Sequence, residues 1–402
     1  MQILYISNEY PPQTGFGGIG TYTKHTAEGM AARGHTVHVM SRSITGEYSR
    51  TLANEVIVHR IPLLDFNLPS GKVFFPFRKL CYKMILHSLE RLAWAESVSK
   101  ALQKFQENGC SFDIIEYPEC GAEGFHIRGQ KGLLVTRLHT PWQMISEFDQ
   151  IKEAPGDPIL LTLMEKHSAR KAQLVTSPSC ALAGIMKKRW KLRNITVIPN
   201  SLPADQYDKT SGGGWIYTGR VEMRKGVHIL LDAYEELCKS RSSLPALKII
   251  GRAYGTMKDG TSYGELIRKR INSAPLNGRV EWIEGLSLPD VKNHLLTSSV
   301  AIFPSLWENF PYTALEAMAC GLTVVASDCG GYPEMIQHEK NGFLVKAGSG
   351  RDLSEGLKKI LDNKEMAKDM GDAARKRVQS HFDTFSICES LERIYENALR
   401  DK

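Results

Sequence analysis

The feature that most constrains the fold is a regular alternation of short apolar runs with longer helical stretches along nearly the whole chain. In the first half the runs are short and mostly apolar, which is typical of buried strands. They cover residues 3–7, 36–40, 56–61, 113–116, 133–138, 174–176 and 195–198. Helical stretches such as 21–33 and 158–171 separate them. Strands that are apolar on both faces and joined by helices predict a parallel sheet covered on both sides.

The alternation is interrupted once, at residues 203–214. The run 210–214 is short, polar and rich in glycine, which predicts a flexible connector. Further strands are predicted at 214–218, 247–251, 279–283, 300–304, 323–327 and 343–345. Because a chain of 402 residues is too long for one ordinary core, we expect two α/β domains, 1–203 and 204–380, followed by a terminal segment, 381–402.

Composition excludes several classes of protein. No segment approaches the roughly 18–20 apolar residues of a membrane span, and the first residues do not resemble a signal peptide. The eight cysteines contain no C-x-x-C pair, which argues against a disulfide framework or a zinc site. The net charge of +7 fits a phosphate-bearing ligand, an anionic membrane or an ordinary solvated surface. We expect a cytoplasmic protein, with the inner face of the membrane as an alternative location.

Two basic stretches have more than one interpretation. Residues 72–105 mix aromatic and basic side chains, which fits either a helix that touches anionic lipid or a helix packed on the sheet. Residues 187–193 contain five cations, which is more typical of a solvated helix end than of a nucleic-acid site. We therefore expect no nucleic-acid partner and keep peripheral membrane contact open.

A first candidate site follows the first strand. Residues 11–20 read PPQTGFGGIG and lead into a helix. Glycines such as Gly17 and Gly18 let the backbone approach a ligand closely, and the helix N-terminus favours phosphate. No Lys-Ser/Thr follows, so this is not a P-loop. The loop also fits a purely structural role.

A second candidate site follows the first strand of the second half. Residues 219–226 read GRVEMRKG and place Arg220 and Lys225 around a turn at the carboxyl end of a strand. Ligands of doubly wound sheets bind at such ends. Two cations there can hold a diphosphate and stabilise the charge of a leaving group, although charges on a surface loop are also common.

The most specific motif is residues 304–321, PSLWENFPYTALEAMACG. Pro311 is placed to begin a helix and Gly321 to end it. The amides near Thr313 and Ala314 then face an anion, and Glu316 in the early helix can accept hydrogen bonds from both hydroxyls of a ribose. Glu308 precedes the helix, where it can reach the hydroxyls of a second sugar.

Together these motifs resemble the retaining glycosyltransferases of family four, the group-one glycosyltransferases. The resemblance covers nearly the whole chain and includes residues 198–201, IPNS, and 326–334, ASDCGGYPE. It implies the GT-B fold, an α/β architecture of two Rossmann-like doubly wound parallel-sheet domains facing a cleft. The first domain would bind the acceptor and the second the nucleotide sugar, and a terminal helix at about 384–399 would cross back to the first domain.

The resemblance also implies roles for individual residues. The implied catalytic residues are His139, Arg220, Lys225 and Glu308. The implied donor-binding residues are Gly17, Gly18, Asn309, Phe310, Tyr312, Thr313, Ala314 and Glu316. For the acceptor we consider residues 74–78 and 117–123, with Glu119 and Glu123 as the candidate contacts. His139 alone is also compatible with a core histidine.

One departure from the family pattern concerns the donor sugar. Many members have Gly-Phe-Gly after the first glutamate, where this chain has Asn309-Phe310-Pro311. Pro311 has no N–H, so one backbone donor is missing, and the Asn309 side chain can replace it. This leaves the identity of the sugar open.

The expected reaction needs no metal and no cofactor. The chain has no D-x-D motif, so Arg220, Lys225 and helix amides would stabilise the leaving diphosphate. The expected partners are a nucleotide-sugar donor, with a UDP-sugar favoured over a GDP-sugar, and a glycan, glycolipid or small natural product as the acceptor. The alternatives are a GT-B sugar-nucleotide epimerase, a phosphorylase of that fold, and a catalytically silent nucleotide-sugar-binding protein. The oligomeric state stays open.

Overall fold

The computed structural model describes residues 1–14, 17–64, 75–149, 153–257 and 259–402, with side chains at all of these except 75–79, 81 and 82. The chain divides into two units. The first consists of Met1–Met144, Glu153–Ser201 and Thr384–Lys402, and the second of Ile145–Lys152 and Leu202–Asp383. This division differs from the expected domain bounds chiefly in the short segment Ile145–Lys152, which belongs to the second unit.

Both units are built on sheets whose strands alternate with helices. The strands are β1 (Gln2–Ile6), β2 (Thr36–Arg42), β3 (Ser49–Ala53), β4 (Val56–Ile61), β5 (Ile114–Pro118), β6 (Leu133–Arg137), β7 (Leu174–Ser177), β8 (Ile195–Val197), β9 (Gly214–Thr218), β10 (Leu247–Ile250), β11 (Val280–Ile283), β12 (Ser298–Phe303), β13 (Thr323–Ser327) and β14 (Phe343–Val345). The helices are α1 (Gly18–Ala32), α2 (Phe75–Glu107), α3 (Trp142–Asp149), α4 (Asp157–Lys171), α5 (Cys180–Arg189), α6 (Val227–Ser240), α7 (Tyr263–Ile271), α8 (Leu288–Leu296), α9 (Tyr312–Ala319), α10 (Tyr332–Met335), α11 (Gly350–Asp362), α12 (Lys364–His381) and α13 (Thr384–Arg400).

The first unit has an eight-stranded sheet in the order β3-β4-β2-β1-β5-β6-β7-β8. All of its neighbouring strands are parallel except β3, which runs antiparallel to β4. The sequence predicts no strand at β3, because no apolar run marks it, and in the structure its five residues are all exposed. The terminal helix α13 packs on this unit, since Leu391 and Tyr395 share a buried cluster with Ile3 and Tyr5 of β1.

The second unit has a six-stranded, parallel sheet in the order β11-β10-β9-β12-β13-β14. The first strand of this sheet along the chain is β9. Strands β10 and β11 follow on one side of β9, and the chain then returns to place β12 on the other side. The first sheet reverses in the same way between β1 and β5. Ligands of doubly wound sheets bind outside the carboxyl ends of the strands at such switch points. The loops after β9 and β12, and those after β1 and β5, are therefore the places to look for function.

The prediction of a flexible connector at residues 210–214 is wrong. Thr210 donates its backbone N–H to the Cys320 carbonyl at 2.8 Å, and its hydroxyl donates to the Leu296 carbonyl at 2.9 Å. A Cβ on Gly212 would lie 1.9 Å from the carbonyl carbon of Thr297. The glycine at this position therefore permits a close backbone contact inside the second unit, and the segment is not a flexible linker.

Candidate active site

The loops after β9 and β12 lie side by side, because these two strands are hydrogen-bonded parallel neighbours at the switch point of the second sheet. The loop after β9 contains a 3-10 turn, Met223–Lys225, before α6 begins. The loop after β12 runs to α9. Leu306 donates its N–H to the Arg224 carbonyl at 2.7 Å, which joins the two loops directly.

Glu308 lies at the meeting point of the two loops and is only 7% exposed. Its Oε1 atom accepts from the Lys225 ammonium group at 2.5 Å and from Nη1 of Arg224. The structure therefore brings together two residues that the sequence predicts as catalytic, Lys225 and Glu308, and adds Arg224 between them.

Arg224 is the centre of this cluster, although no role was expected for it. Its backbone N–H donates to Asp149 at 2.7 Å, its Nη2 to Glu222 at 2.5 Å and its Nη1 to the Trp307 carbonyl at 3.1 Å. It is 5% exposed. The motif at 219–226 contains Arg224, but a sequence does not show which of three neighbouring cations points inwards. Asp149 comes from α3, far away along the chain.

The cluster fixes the charge of Glu308. Burial alone would raise its pKa, but Lys225 and Arg224 outweigh burial and lower that pKa to about 2. Burial lowers the pKa of Lys225, and Glu308 opposes that effect. Burial and Glu222 raise the pKa of Asp149, against the effect of Arg224. Glu308 is thus an anion at every physiological pH and can accept hydrogen bonds from sugar hydroxyls.

Arg220, the other cation expected to bind the diphosphate, has a different environment. Its side chain is 48% exposed, lies 3.3 Å from Glu222 and stacks over the Tyr254 ring at 5.0 Å. The three cations Arg220, Arg224 and Lys225 balance three carboxylates within the cluster. Among them Arg220 presents the most surface to solvent, so it is the best placed to meet an incoming anion.

Helix α9 begins and ends where the sequence predicts. Pro311 is its N-cap residue, and Gly321 follows its last turn with φ +76° and donates to the Met318 carbonyl at 2.9 Å. Glu316 is half-buried and accepts a hydrogen bond from the Tyr207 hydroxyl. Burial raises the pKa of Glu316 to about 7, and the Tyr207 bond opposes this shift. Tyr207 is a further residue that the sequence did not single out.

The remaining predicted donor residues of the second unit lie around the start of α9. Thr313 is half-buried in the first turn of the helix. The other four have buried side chains: Asn309, Phe310, Tyr312 and Ala314. The Phe310 ring packs edge-on against Phe382 at 5.4 Å between centroids. For Phe310 and Ala314, contact with a donor would therefore involve the backbone, since their side chains belong to the core.

The glycine pair in residues 326–334, Gly330 and Gly331, lies close against the backbone of Glu308. Gly330 has φ +55°, and a Cβ there would lie 1.7 Å from the Glu308 carbonyl oxygen. The next residue, Gly331, donates its N–H to that same carbonyl at 2.9 Å. The loop after β13 thus closes onto the backbone of Glu308 and fixes the position of that backbone.

The first unit carries its own candidate residues in the loops after β1 and β6. Gly17 and Gly18 are exposed at the start of α1, whereas Gly15 and Phe16 lie outside the described residues. His139 follows β6 and contacts the Tyr22 ring at 5.2 Å in a T-shaped arrangement. Burial and the nearby Arg137 lower the pKa of His139 to about 3, so its imidazole is neutral.

Direct contact of Glu119 and Glu123 with an acceptor does not fit the structure. Their exposed fractions are 0% and 2%. Glu119 accepts from the His139 N–H at 2.7 Å, and Glu123 from the Asn8 N–H at 2.8 Å. Burial raises the pKa of Glu119 to about 8, with Glu165 adding to the effect, and burial raises that of Glu123 to about 7. These carboxyl groups position the loops after β1 and β6.

The other acceptor candidate, 74–78, falls on residue 74 and on the side chains of 75–78, which lie outside the described residues. Within the described ranges, no group of three or more His, Cys, Asp and Glu side chains could hold a metal ion. No helix in the same ranges is long and apolar enough to cross a membrane.

Solved structures show the class of fold. The chain superposes over 100% of its length on all of sucrose-phosphate synthase from Thermosynechococcus elongatus, with a TM-score of 0.77 and 18% identity. It covers 99% of the chain of Anabaena HepE in complex with UDP and glucose, over 98% of its own length, with a TM-score of 0.71 and 19% identity. The two parallel-sheet α/β units therefore have the GT-B fold of the glycosyltransferases.

The family follows from the sequence. Residues 16–206 match the model of Glycosyltransferase Family 4, and residues 214–377 match that of Glycosyl transferases group 1. A glycogen synthase of Mycobacterium tuberculosis is 24% identical over all of this chain and 95% of its own. An MMP alpha-(1->4)-mannosyltransferase of Mycolicibacterium hassiacum is 26% identical over 99% of this chain and 98% of its own. The chain belongs to the group-one, family-four glycosyltransferases and uses a nucleotide-sugar donor.

Proposed function

We propose that the protein transfers a hexose-type sugar from a UDP-sugar to a hydroxyl of a glycan, a glycolipid or a small molecule, with retention of configuration and without a metal ion. The observation that carries the proposal is the buried Glu308 carboxylate, which contacts Lys225 and Arg224 at the switch point of the second sheet. Such a group accepts hydrogen bonds from the sugar, while the cations beside it meet the diphosphate.

The charges of the cluster support metal-independent departure of the diphosphate. Lys225 already forms an ion pair with Glu308. A diphosphate that binds beside this pair becomes a second anionic partner of Lys225, and the lysine does not have to move into water. The half-exposed Arg220 supplies a second cation. The first-turn amides of α9 add their partial positive charge. Charge that develops on the leaving group is then stabilised by groups already in place.

Retention of configuration rests on the family resemblance, as does the role of His139 beside the transferred sugar. Its low pKa keeps His139 neutral, so it can donate a hydrogen bond without adding a charge. UDP is the first nucleotide to test, because HepE, which has the same fold, was solved with UDP and glucose.

A donor screen tests the proposal. The protein, stripped of metals with EDTA, is incubated with UDP-, GDP- and ADP-sugars, and the released nucleoside diphosphate and the sugar product are analysed. We expect slow hydrolysis of a UDP-hexose, with retained configuration, at a rate unaffected by EDTA. Activity that returns only after Mg²⁺ or Mn²⁺ is added would refute metal independence. Release of an isomerised free sugar would identify an epimerase.

Replacing Glu316 with alanine is expected to weaken binding of bare UDP. Each hydrogen bond between a ribose hydroxyl and a carboxylate contributes about 1.5–3 kcal/mol, so we expect a loss of at least tenfold in affinity. In the protein without nucleotide the pKa of Glu316 is about 7, and the ribose hydroxyls bind its ionised form. The affinity of the wild type for UDP should therefore rise with pH up to about pH 7 and then level off. Calorimetry measures the affinity for UDP of the wild type and of Glu316→Ala at each pH. The titration of UDP affects both proteins equally, so the ratio of the two affinities reports on Glu316 alone. Equal affinities would contradict the assignment.

A further inference from the structure

One face of α4 in the first unit leaves apolar side chains in solvent. Ile159 is 68% exposed and Leu163 is 57% exposed. They are four residues apart, so they lie on the same side of the helix, and Arg170 continues this side towards the C-terminus. The opposite side is buried in the unit, with Leu161 and Met164 at 2% and 1% exposure. The apolar stripe on the outside is therefore additional to the core-facing one.

The start of α4 is fixed against α2, and this part of α2 also carries an exposed aliphatic side chain. Gly156 donates its N–H to the Met84 carbonyl at 2.8 Å. The Asp157 carboxylate accepts from the Ser88 N–H at 2.8 Å and from its hydroxyl at 2.6 Å. Leu86 lies between these two contact points along α2 and is 48% exposed. Leu86 is therefore a third exposed aliphatic side chain, on the part of α2 that lies against the start of α4.

The far end of α4 meets a cluster of positive charge. Arg170 donates through Nε to the Trp190 carbonyl at 3.0 Å, which places the C-terminal ends of α4 and α5 together. The last turn of α5 carries Lys187, Lys188 and Arg189, all exposed. The surface is therefore apolar at one end and cationic at the other.

The exposed charged side chains of 157–193 are all basic. The segment contains two acidic residues, Asp157 and Glu165, and both are fully buried. Glu165 accepts from the backbone N–H groups of Gly121 and Trp142, each at 3.0 Å. With its carboxylates inside, this segment presents only positive charge to a partner.

We propose that this surface, the α4–α5 face, docks onto a membrane that contains anionic lipid. It is defined by Leu86, Ile159, Leu163, Arg170 and residues 187–189. Anionic headgroups attract the cations, and aliphatic side chains on the same face enter the boundary between headgroups and acyl chains. A nucleic acid would pair with the cations but leave the aliphatic side chains in water. The inference does not depend on the proposed sugar transfer.

Vesicle binding tests the proposal on the full-length protein. Co-sedimentation compares vesicles of phosphatidylcholine alone with vesicles of three parts phosphatidylcholine to one part phosphatidylglycerol, at low and high salt. We expect binding to the anionic vesicles only, weakened by salt. The triple variant K187Q/K188Q/R189Q should lower partitioning on the order of a hundredfold, because each cation near an anionic surface contributes about fivefold. The double variant I159Q/L163Q should lower it roughly tenfold.

Matched controls lie in the second unit. K364Q/K368Q/K376Q on α12 removes the same charge from exposed positions, and L266Q/L288Q removes two exposed leucines. Both should bind vesicles like the wild type, and all four variants should keep the donor hydrolysis rate. Binding that falls equally in both charge triples would overturn the proposal in favour of a non-specific charge effect. Binding that is insensitive to I159Q/L163Q, together with equal binding to a soluble polyanion such as heparin, would overturn it in favour of a polyanion site.

Discussion

Replacing Arg224 with methionine is expected to abolish sugar transfer and to lower the free energy of unfolding by about 3–5 kcal/mol. The guanidinium group contacts Asp149, Glu222 and Glu308, whose side chains are all buried. Without it, these carboxylates face one another with Lys225 as their nearest buried cation. Removing one partner from a buried ionic group costs far more than the net contribution of the group, because the other charges stay in place without compensation.

Thermal or urea unfolding at several pH values measures this effect. The loss should shrink as the pH falls towards the ordinary range of carboxyl pKa values, because protonation relieves the unpaired carboxylates in the variant. The matched control is Arg220→Met, which removes a half-exposed cation from the same cluster. It should change stability by no more than about 1 kcal/mol while weakening binding of UDP and slowing turnover. Equal destabilisation by both variants would contradict the central position of Arg224.

The second large effect concerns Glu308. Glu308→Gln should lower transfer from the intact sugar nucleotide roughly 10²–10³-fold, as expected when one group that stabilises the transition state is lost. Binding of bare UDP should stay nearly unchanged or become slightly tighter, because Lys225 then has no carboxylate competing with the diphosphate. Glu316→Ala, by contrast, should mainly weaken the binding of bare UDP.

Titration of bare UDP, combined with single-turnover transfer, separates these two glutamates. Glu308→Gln is also expected to alter the choice between epimeric donors, because a site that hydrogen-bonds one hydroxyl rejects sugars that place it elsewhere. If Glu308→Gln weakened bare UDP as much as Glu316→Ala does, Glu308 would belong to the nucleotide site and its assignment to the sugar would be wrong.

Some features of the site follow from short stretches of sequence. The N-cap position of Pro311 and the left-handed Gly321 are local properties, so the bounds of α9 were predictable, and with them the early-helix position of Glu316. The same holds for the turn at 219–226, which follows a strand whose apolar run is plain in the sequence. Contacts within a few residues depend on local backbone preferences, and sequence patterns report those directly.

Other features could not be predicted, because they depend on partners distant in the chain. Arg220 and Arg224 are the same residue type in one loop, yet one is half exposed and the other buried against Asp149, which is separated from it by 75 positions. Glu119 and Glu123 look like surface carboxylates in a loop, but in the fold they are buried and accept hydrogen bonds from the backbone amides of His139 and Asn8, in the loops after β6 and β1. Which of several similar side chains faces inwards is decided by neighbouring loops.

By itself the sequence determined two parallel-sheet α/β units, all of their strands except β3, and the motifs of a family-four glycosyltransferase, because apolar periodicity and turn residues encode these locally. It suggested a flexible connector at 210–214, since glycine content and polarity do not distinguish a mobile segment from one packed closely against its neighbours. It missed β3 because no apolar run marks that strand, whose five residues are all exposed. Only the tertiary structure decided that Arg224 links three carboxylates, that Gly330 closes onto the backbone of Glu308, and that the C-terminal ends of α4 and α5 meet. Each of these depends on which chain segments meet, and that is set by the packing of the whole unit.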